Sequence, residues 1–354
     1  MAPRWVMVAM GTLGLACARG SESPAAEGYT AFSATQPPTS TAPATGEGAD
    51  GRDAAVGGDA ATATPQSIAG AAVRDAASPD AGAAMGTAGA AAAPPWPDPR
   101  WAAVTTPAPG APRSLGGYAR GCIQGAVPLE DDPHLVVMRR SRRRYFGHPD
   151  LVAFLQRLAA ASHRKGLGPL FVGDLGQARG GPTLTGHASH QSGLDVDVLF
   201  LSPRADGKAL TAADREALPA RAVVDLRTFA FTPHYTPRVL TLVGLAAADP
   251  VVDRIFVHPA LKRRLCDEQR GAPWQGRVRP WWGHHDHLHV RLRCPAGDTG
   301  CEGQPPLTGD GCDKGLAWWF SAESKAGPKK DPTAPPPQLP AACEALVTGG
   351  AAAP

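Results

Sequence analysis

The stretch GHASHQSGLDVDVLF, residues 186–200, is where the fold can be read. Its second half alternates like a strand: Asp195, Asp197 and Leu199 share one face, and Val196, Val198 and Phe200 share the other. A strand that sends valines into a core should not carry two carboxylates on its reverse face without a reason. An unpaired buried carboxylate is too costly to keep, so each needs a cation or a metal. His190 lies just upstream, with His187 three residues before it. That spacing also fits a ligand pair on one turn of helix, but Gly186, Ser189 and Gly193 favour a loop.

A second cluster, RPWWGHHDHLHVRLRCP, spans residues 279–295. On a strand, His287, His289 and Arg291 share a face while Leu288, Val290 and Leu292 point the other way. Bringing His190 and Asp197 to His289 assembles two nitrogens and one oxygen, the ligand set of a catalytic zinc with a fourth position open to water. Zinc lowers the pKa of such a water to roughly 7 and polarises a carbonyl, which suits hydrolysis. Five histidines, His187, His190, His284, His287 and His289, fall in these two short stretches.

Outward from the two strands, GHPDLVAFLQRLAAASHRKG predicts a helix of about four turns. Pro149 sits at its start, Leu151, Phe154, Leu155 and Leu158 form one apolar stripe, and Lys165-Gly166 ends it. RVLTLVGLAAAD reads as a second helix, RIFVH as a strand and PALKRRLC as a short helix. Strands and helices mix without regular alternation and there is no internal repeat, so the expected class is α+β. The expected architecture is a central antiparallel sheet flanked by helices, with the zinc site on the sheet.

Residues 18–112 are dominated by Ala, Gly, Pro, Thr and Ser, and read as a disordered linker that cannot bury enough apolar surface to offset its ordering entropy. Residues 113–325 are the expected folded domain, and 326–354 a Pro-rich tail. From residue 113 onward, 30 Lys and Arg face 23 Asp and Glu, so a total of +3 conceals a basic folded part suited to a polyanionic surface. The first 17 residues, MAPRWVMVAMGTLGLAC, have one arginine, an apolar run and Ala16-Cys17, a secretory signal too short to span a membrane. It reads either as a lipoprotein signal with Cys17 acylated or as a plain signal cleaved near Ala16 or Ala18. If Cys17 carries lipid, six of the seven cysteines remain, enough for three disulfides in an oxidising compartment. None has Cys-x-x-Cys spacing.

His190, six intervening residues, Asp197 and then His287-Leu288-His289 resemble the metallopeptidase group that includes D-Ala-D-Ala peptidases and the hedgehog signalling domain. More closely, GYARGCI, RRRYFGHPDLVAFLQRL, GHASHQSGLDVDV, HPALKRRLC, VRPWW, HLHVRLRCP and GDGC, in order from about Ser114 to Phe320, resemble the penicillin-insensitive murein endopeptidases. The resemblance implies zinc on His190, Asp197 and His289, His187 at a further metal position, His287 as the catalytic histidine and His284 lining the substrate site. It implies disulfides Cys122 to Cys343, Cys266 to Cys312 and Cys294 to Cys301, with Cys343 pinning the tail. An Asp-x-x-His pair that can hold a second metal in the family falls on Leu226 and Phe229, which cannot ligate, so one zinc is expected. The implied substrate is the D-alanyl to diaminopimelate cross-link of peptidoglycan, cleaved without a serine nucleophile and so insensitively to β-lactams. Peptidoglycan is then the partner, with no nucleic acid, and membrane contact only through Cys17. The expected location is the periplasm, with any lipid anchor in the outer membrane. The other readings are a non-catalytic zinc module that binds peptidoglycan and a murein carboxypeptidase.

Overall fold

The structure is a computed structural model, and it describes residues 96–185, 187–327 and 335–349. In chain order, helix α1 (Arg100–Ala103) precedes strands β1 (Arg113–Gly117), β2 (Arg120–Gln124), β3 (Val127–Pro128), β4 (Leu135–Val137) and β5 (Phe146–Gly147). Helix α2 (Pro149–Arg164) then leads to β6 (Leu170–Val172), β7 (Asp195–Leu199), α3 (Ala212–Ala217), α4 (Arg238–Ala248) and β8 (Val252–Val257). Helix α5 (Pro259–Glu268), β9 (Val278–Pro280), β10 (His287–Leu292), α6 (Gly315–Trp318), α7 (Ala322–Lys325) and α8 (Ala341–Thr348) complete the described chain. The signal and anchor read at residues 1–17, and the linker up to residue 95, lie outside the described residues.

Helices α2 and α5 begin alike. His148 and His258 each precede a proline, and each accepts a hydrogen bond at Nδ1 from a backbone N–H two residues on, Asp150 and Ala260, both at 3.1 Å. The proline at the first helical position wastes no donor, and the imidazole satisfies one of the free amides of the first turn. The apolar stripe of α2 then buries Leu151, Phe154, Leu155 and Leu158.

Six strands form the main sheet in the order β4-β6-β7-β10-β8-β9. The expected antiparallel sheet is correct only for its four inner strands: β4 runs parallel to β6, and β9 parallel to β8, so the sheet is mixed. These edge strands are three residues each, too short for a sequence period to reveal, and their direction is set by the segments that lead into them. At the centre, β7 and β10 pair with Asp197 opposite His289, Asp195 opposite Arg291 and Leu199 opposite His287. Val196, Val198, Leu288 and Val290 consequently face the core shared with α2, α4 and α5. Every polar side chain of the two strands is left on the reverse face.

The linker reading of residues 18–112 overshoots, because the stretch from Trp96 is folded. Trp101, only 2% exposed, packs in a cluster with Ala108, Leu115, Leu346 and Val347. Gly181 adopts φ +73°, and a Cβ there would meet the Trp101 ring at 2.1 Å. Ala- and Pro-rich composition concealed this one large side chain. Disulfides join Cys122 to Cys343, Cys266 to Cys312 and Cys294 to Cys301, the pairing that the resemblance implies. The first of them holds α8, the described end of the tail, against β2. No helix among the described residues is long and apolar enough to cross a membrane.

Candidate metal centre

Asp195 and Asp197 are both buried in β7, and they are satisfied differently. Asp195 accepts from Arg291 at 2.7 Å (Nε) and 3.2 Å (Nη2), from His289 Nε2 at 3.1 Å and from the His190 amide at 3.0 Å. Burial alone would raise its carboxyl, but Arg291 and then His289 hold it well below the usual carboxylate range. Asp197 has no arginine or lysine within ion-pair distance among the described residues. Ring nitrogens of four histidines surround it instead: His289 Nδ1 at 3.2 Å, His190 Nε2 at 3.5 Å, His187 Nε2 at 3.5 Å and His287 Nε2 at 3.7 Å.

The rings are fixed from behind. His190 Nδ1 lies 2.5 Å from the Leu175 carbonyl, His289 Nε2 faces Asp195, and His287 Nδ1 lies 2.6 Å from Asp286 Oδ1. Each of these bonds uses the nitrogen remote from Asp197, which leaves the near one as a lone-pair donor. His187 differs, since the nitrogen it turns toward Asp197 also bonds Asp174 Oδ2 at 3.0 Å. Asp174 is in turn held by Arg144 and Arg142 at 3.1 and 3.3 Å. Burial would raise that carboxyl, but His187 and the two arginines bring it down to about 2.

His190 has φ +68°, a left-handed backbone that a non-glycine residue adopts only when its surroundings impose it. Gly193 turns the chain again at φ +75°, where a Cβ would sit 2.4 Å from Ile123 Cδ1. The loop is therefore bent twice between His190 and β7, which aims the imidazole back over the strand it precedes. The helical pairing of His187 with His190 is absent: both sit in irregular chain, their rings 4.3 Å apart.

His190 Nε2 and Asp197 Oδ1 are buried and have no hydrogen-bond partner. Two adjacent orphaned acceptors are expensive in a folded protein and are what a bound cation would satisfy. The tightest group of ligand atoms is His187, His190 and Asp197, all within 4.8 Å of one another, and it could hold a metal ion. Burial would also raise Asp197, but His287 and His190 keep it well below the ordinary carboxylate value. For His287, burial lowers the imidazole while Asp197 and Asp286 raise it, and the net shift is upward. His284, whose ring lies 5.0 Å from His287 and 5.7 Å from His289, is pushed down to about 3 by burial and by those two neighbours. His187 and His287 are the open side, with 26% and 23% of their side chains exposed against 1% for His190.

All five histidines singled out in the sequence thus converge on Asp197 or on one another. Residues 114–348 match the family described as penicillin-insensitive murein endopeptidase. The chain belongs to that family. It is 43% identical to the penicillin-insensitive murein endopeptidase of Salmonella arizonae over 256 residues, and 42% identical to that of Escherichia coli K12 over 251 residues. The Shigella sonnei protein of the same name is 43% identical over 251 residues. Each alignment covers 70% of this chain and 90% of the relative. Membership makes this chain a peptidase of the metallopeptidase class.

Sequence reasoning missed Asp174, Asp286 and the role of Asp195. Asp286 sits directly before His287, and that adjacency was the available signal. Asp174 has no local signal: β6 and β7 bring it to His187, through Gly173 N–H on the Asp197 carbonyl at 2.8 Å and Asp197 N–H on the Asp174 carbonyl at 3.0 Å. At the two positions where the resemblance implies that no second metal can be held, Leu226 is exposed, and Phe229 packs against His258 with its ring centroid 4.3 Å away.

Proposed function

We propose that this chain hydrolyses the D-alanyl to diaminopimelate cross-links of murein, with one zinc ion held by His190 Nε2, Asp197 and His289 Nδ1. The observation that carries the reading is Asp197 itself, a buried carboxylate with imidazoles around it and no lysine or arginine partner among the described residues. The choice of His289 over His187 rests on the hydrogen bonds behind each ring. His289 keeps Nδ1 free because Asp195 takes Nε2, whereas the near nitrogen of His187 is committed to Asp174. Neither Leu226 nor Phe229 offers a ligand atom, which supports a single ion. When bound there, zinc would supply Lewis acidity toward the scissile carbonyl and a lowered pKa for an attacking water.

The protein's own part is proton handling and positioning. His287, anchored at Nδ1 by Asp286, presents Nε2 on the open side, where it accepts a proton from the water that adds to the carbonyl. It returns that proton to the amine as the C–N bond breaks. Burial keeps His284 neutral beside it, a wall group that orients the peptide and adds no charge. Residues 1–17 support export to the periplasm with Cys17 lipidated in the outer membrane. A diacylglyceryl cysteine at the mature N-terminus, read by mass spectrometry, checks this.

His289→Ala should lose most bound zinc together with activity. His287→Ala should keep near-stoichiometric zinc while cleavage of purified cross-linked muropeptide dimers falls by roughly 100-fold or more. Metal analysis beside the dimer assay decides it, with pentapeptide monomers as the comparison that would reveal a carboxypeptidase. A metal-free His287→Ala protein, or one that cleaves dimers at the wild-type rate, overturns the assignment.

A further inference from the structure

A cleft of about 810 Å³ opens at the far end of β7, under the chain from Leu201 to Arg238. Its floor is apolar, with Leu170, Leu199, Phe200 and Leu242 among the residues that line it. Among the described residues its charged lining is wholly basic: Lys208, Arg215, Arg221 and Arg238 border it, and no Asp or Glu does. Arg215 is neutralised by Asp131. The other three have no carboxylate within ion-pair distance among the described residues. Arg221 donates to His234 Nδ1 at 2.9 Å, Arg238 donates to the Gly166 carbonyl, and no side-chain partner of the Lys208 ammonium is described. Cations gathered over an apolar floor without counter-ions focus a positive potential into the space between them. The volume lies within the range of small-molecule and short-peptide sites.

The cleft is joined to the metal centre by the sheet. Leu199 in its wall lies opposite His287, on the strand face that carries Asp197, and about 7 Å from that residue along the strand. The next wall residue, Phe200, donates its amide to the carbonyl of Asp286, whose side chain anchors His287.

We infer that this cleft is a subsite for a murein stem peptide, with the peptide's free carboxylates on Lys208 and Arg221 and its alanyl methyl groups on the apolar floor. This rests on the murein reading above and extends it from the scissile bond to a neighbouring stem. Charge complementarity selects the occupant, because the ligand must be both anionic at several points and apolar between them, as such a peptide is. Inorganic phosphate shares the charge and lacks the apolar body.

The test uses the full chain stripped of metal, so that no cleavage intervenes. The Lys208 amine is acetylated with and without a tetrapeptide of L-alanine, D-glutamate, diaminopimelate and D-alanine, and its rate is followed by mass spectrometry. Lys165, on the exposed end of α2, is the internal reference. The expected result is at least threefold protection of Lys208 by the peptide, none at Lys165, and little by phosphate at matched ionic strength. In calorimetry the double variant Lys208→Gln with Arg221→Gln should bind the peptide about tenfold more weakly, whereas Arg221→Lys should stay within about threefold of wild type. Unprotected Lys208, or equal protection by phosphate, overturns the proposal. Dimer cleavage by metal-loaded wild type is scored separately. Cleavage without Lys208 protection removes only the cleft, and protection without cleavage keeps the cleft while removing the cross-link reading.

Discussion

Asp195→Asn is the most informative single change in this protein, because it alters no shape and removes only charge and acceptor capacity. Four donors converge on the carboxylate: His289 Nε2 and Arg291 Nε at Oδ1, and the His190 amide and Arg291 Nη2 at Oδ2. An asparagine has one oxygen, so either orientation turns its NH2 toward two of those donors. With NH2 at Oδ2 it opposes the His190 amide and one Arg291 nitrogen. With NH2 at Oδ1 it invites His289 to accept at Nε2, which moves the ring proton to Nδ1 and blocks the atom that faces Asp197. Arg291, itself buried, loses its counter-ion in both cases. Breaking a buried pair from one side costs about 3–5 kcal/mol, and that figure already contains the unmet hydrogen bonds. The expected loss of stability is therefore about 3–5 kcal/mol, read as a fall in the urea midpoint of the metal-free, disulfide-intact protein. Zinc affinity, measured by competition with a chromophoric chelator, should fall by about 10- to 100-fold through misorientation of His289. A midpoint shift worth less than about 1 kcal/mol, with zinc affinity within twofold of wild type, would refute both the role of Asp195 and the ligand choice that depends on it.

His258 is lowered to about 4 by burial and by the neighbouring His285, and its Nδ1 must stay unprotonated to cap α5. The unfolded chain takes up this proton first, so the stability is intact above pH 6.5 and is lost as pH falls toward 4, by about 3 kcal/mol at most. His258→Asn keeps a capping acceptor without the titration, and should flatten the dependence of the urea midpoint between pH 7 and pH 4.5; an unchanged slope would exclude His258 as its source. Chain entropy ranks the disulfides. Removing Cys122–Cys343, with a sequence separation of 221, should cost about 5 kcal/mol, and removing Cys294–Cys301, separated by 7, about 2.5 kcal/mol. Denaturation of the paired Cys→Ser variants checks the order, and equal losses would reject the entropic account.

What was legible in the sequence is what repeats at short range. The helix from Pro149 carries its own start, stripe and stop, and the strands at Asp195 and His287 alternate cleanly enough to assign each side chain to a face. What was not legible depends on distant segments. The parallel edges β4 and β9 are three residues long and take their direction from the chain around them. Trp101 is a core residue in a stretch whose average composition looks unfoldable, and it is ordered by a glycine eighty residues away and by helix α8. Asp174 reaches His187 only because β6 and β7 pair.

The carboxylates of β7 also bear on how the fold is specified. Asp195 opposite Arg291 and Asp197 opposite His289 are the pairs that place the candidate metal ligands, and they are equally the pairs that fix the register of the two central strands. Side chains alternate with a period of two, so a slip of one residue would drive both aspartates of β7 or both histidines of β10 into the core formed with α2 and α4. Arg291 completes Asp195 in the folded chain whether or not metal is present, and so holds the register through a permanent ion pair. Among the described residues Asp197 has no such partner: four imidazoles surround it, three of them held from behind by Leu175, Asp195 and Asp286. One carboxylate therefore secures the sheet, and the sheet in turn holds the other among imidazoles, in an arrangement that could hold a metal ion.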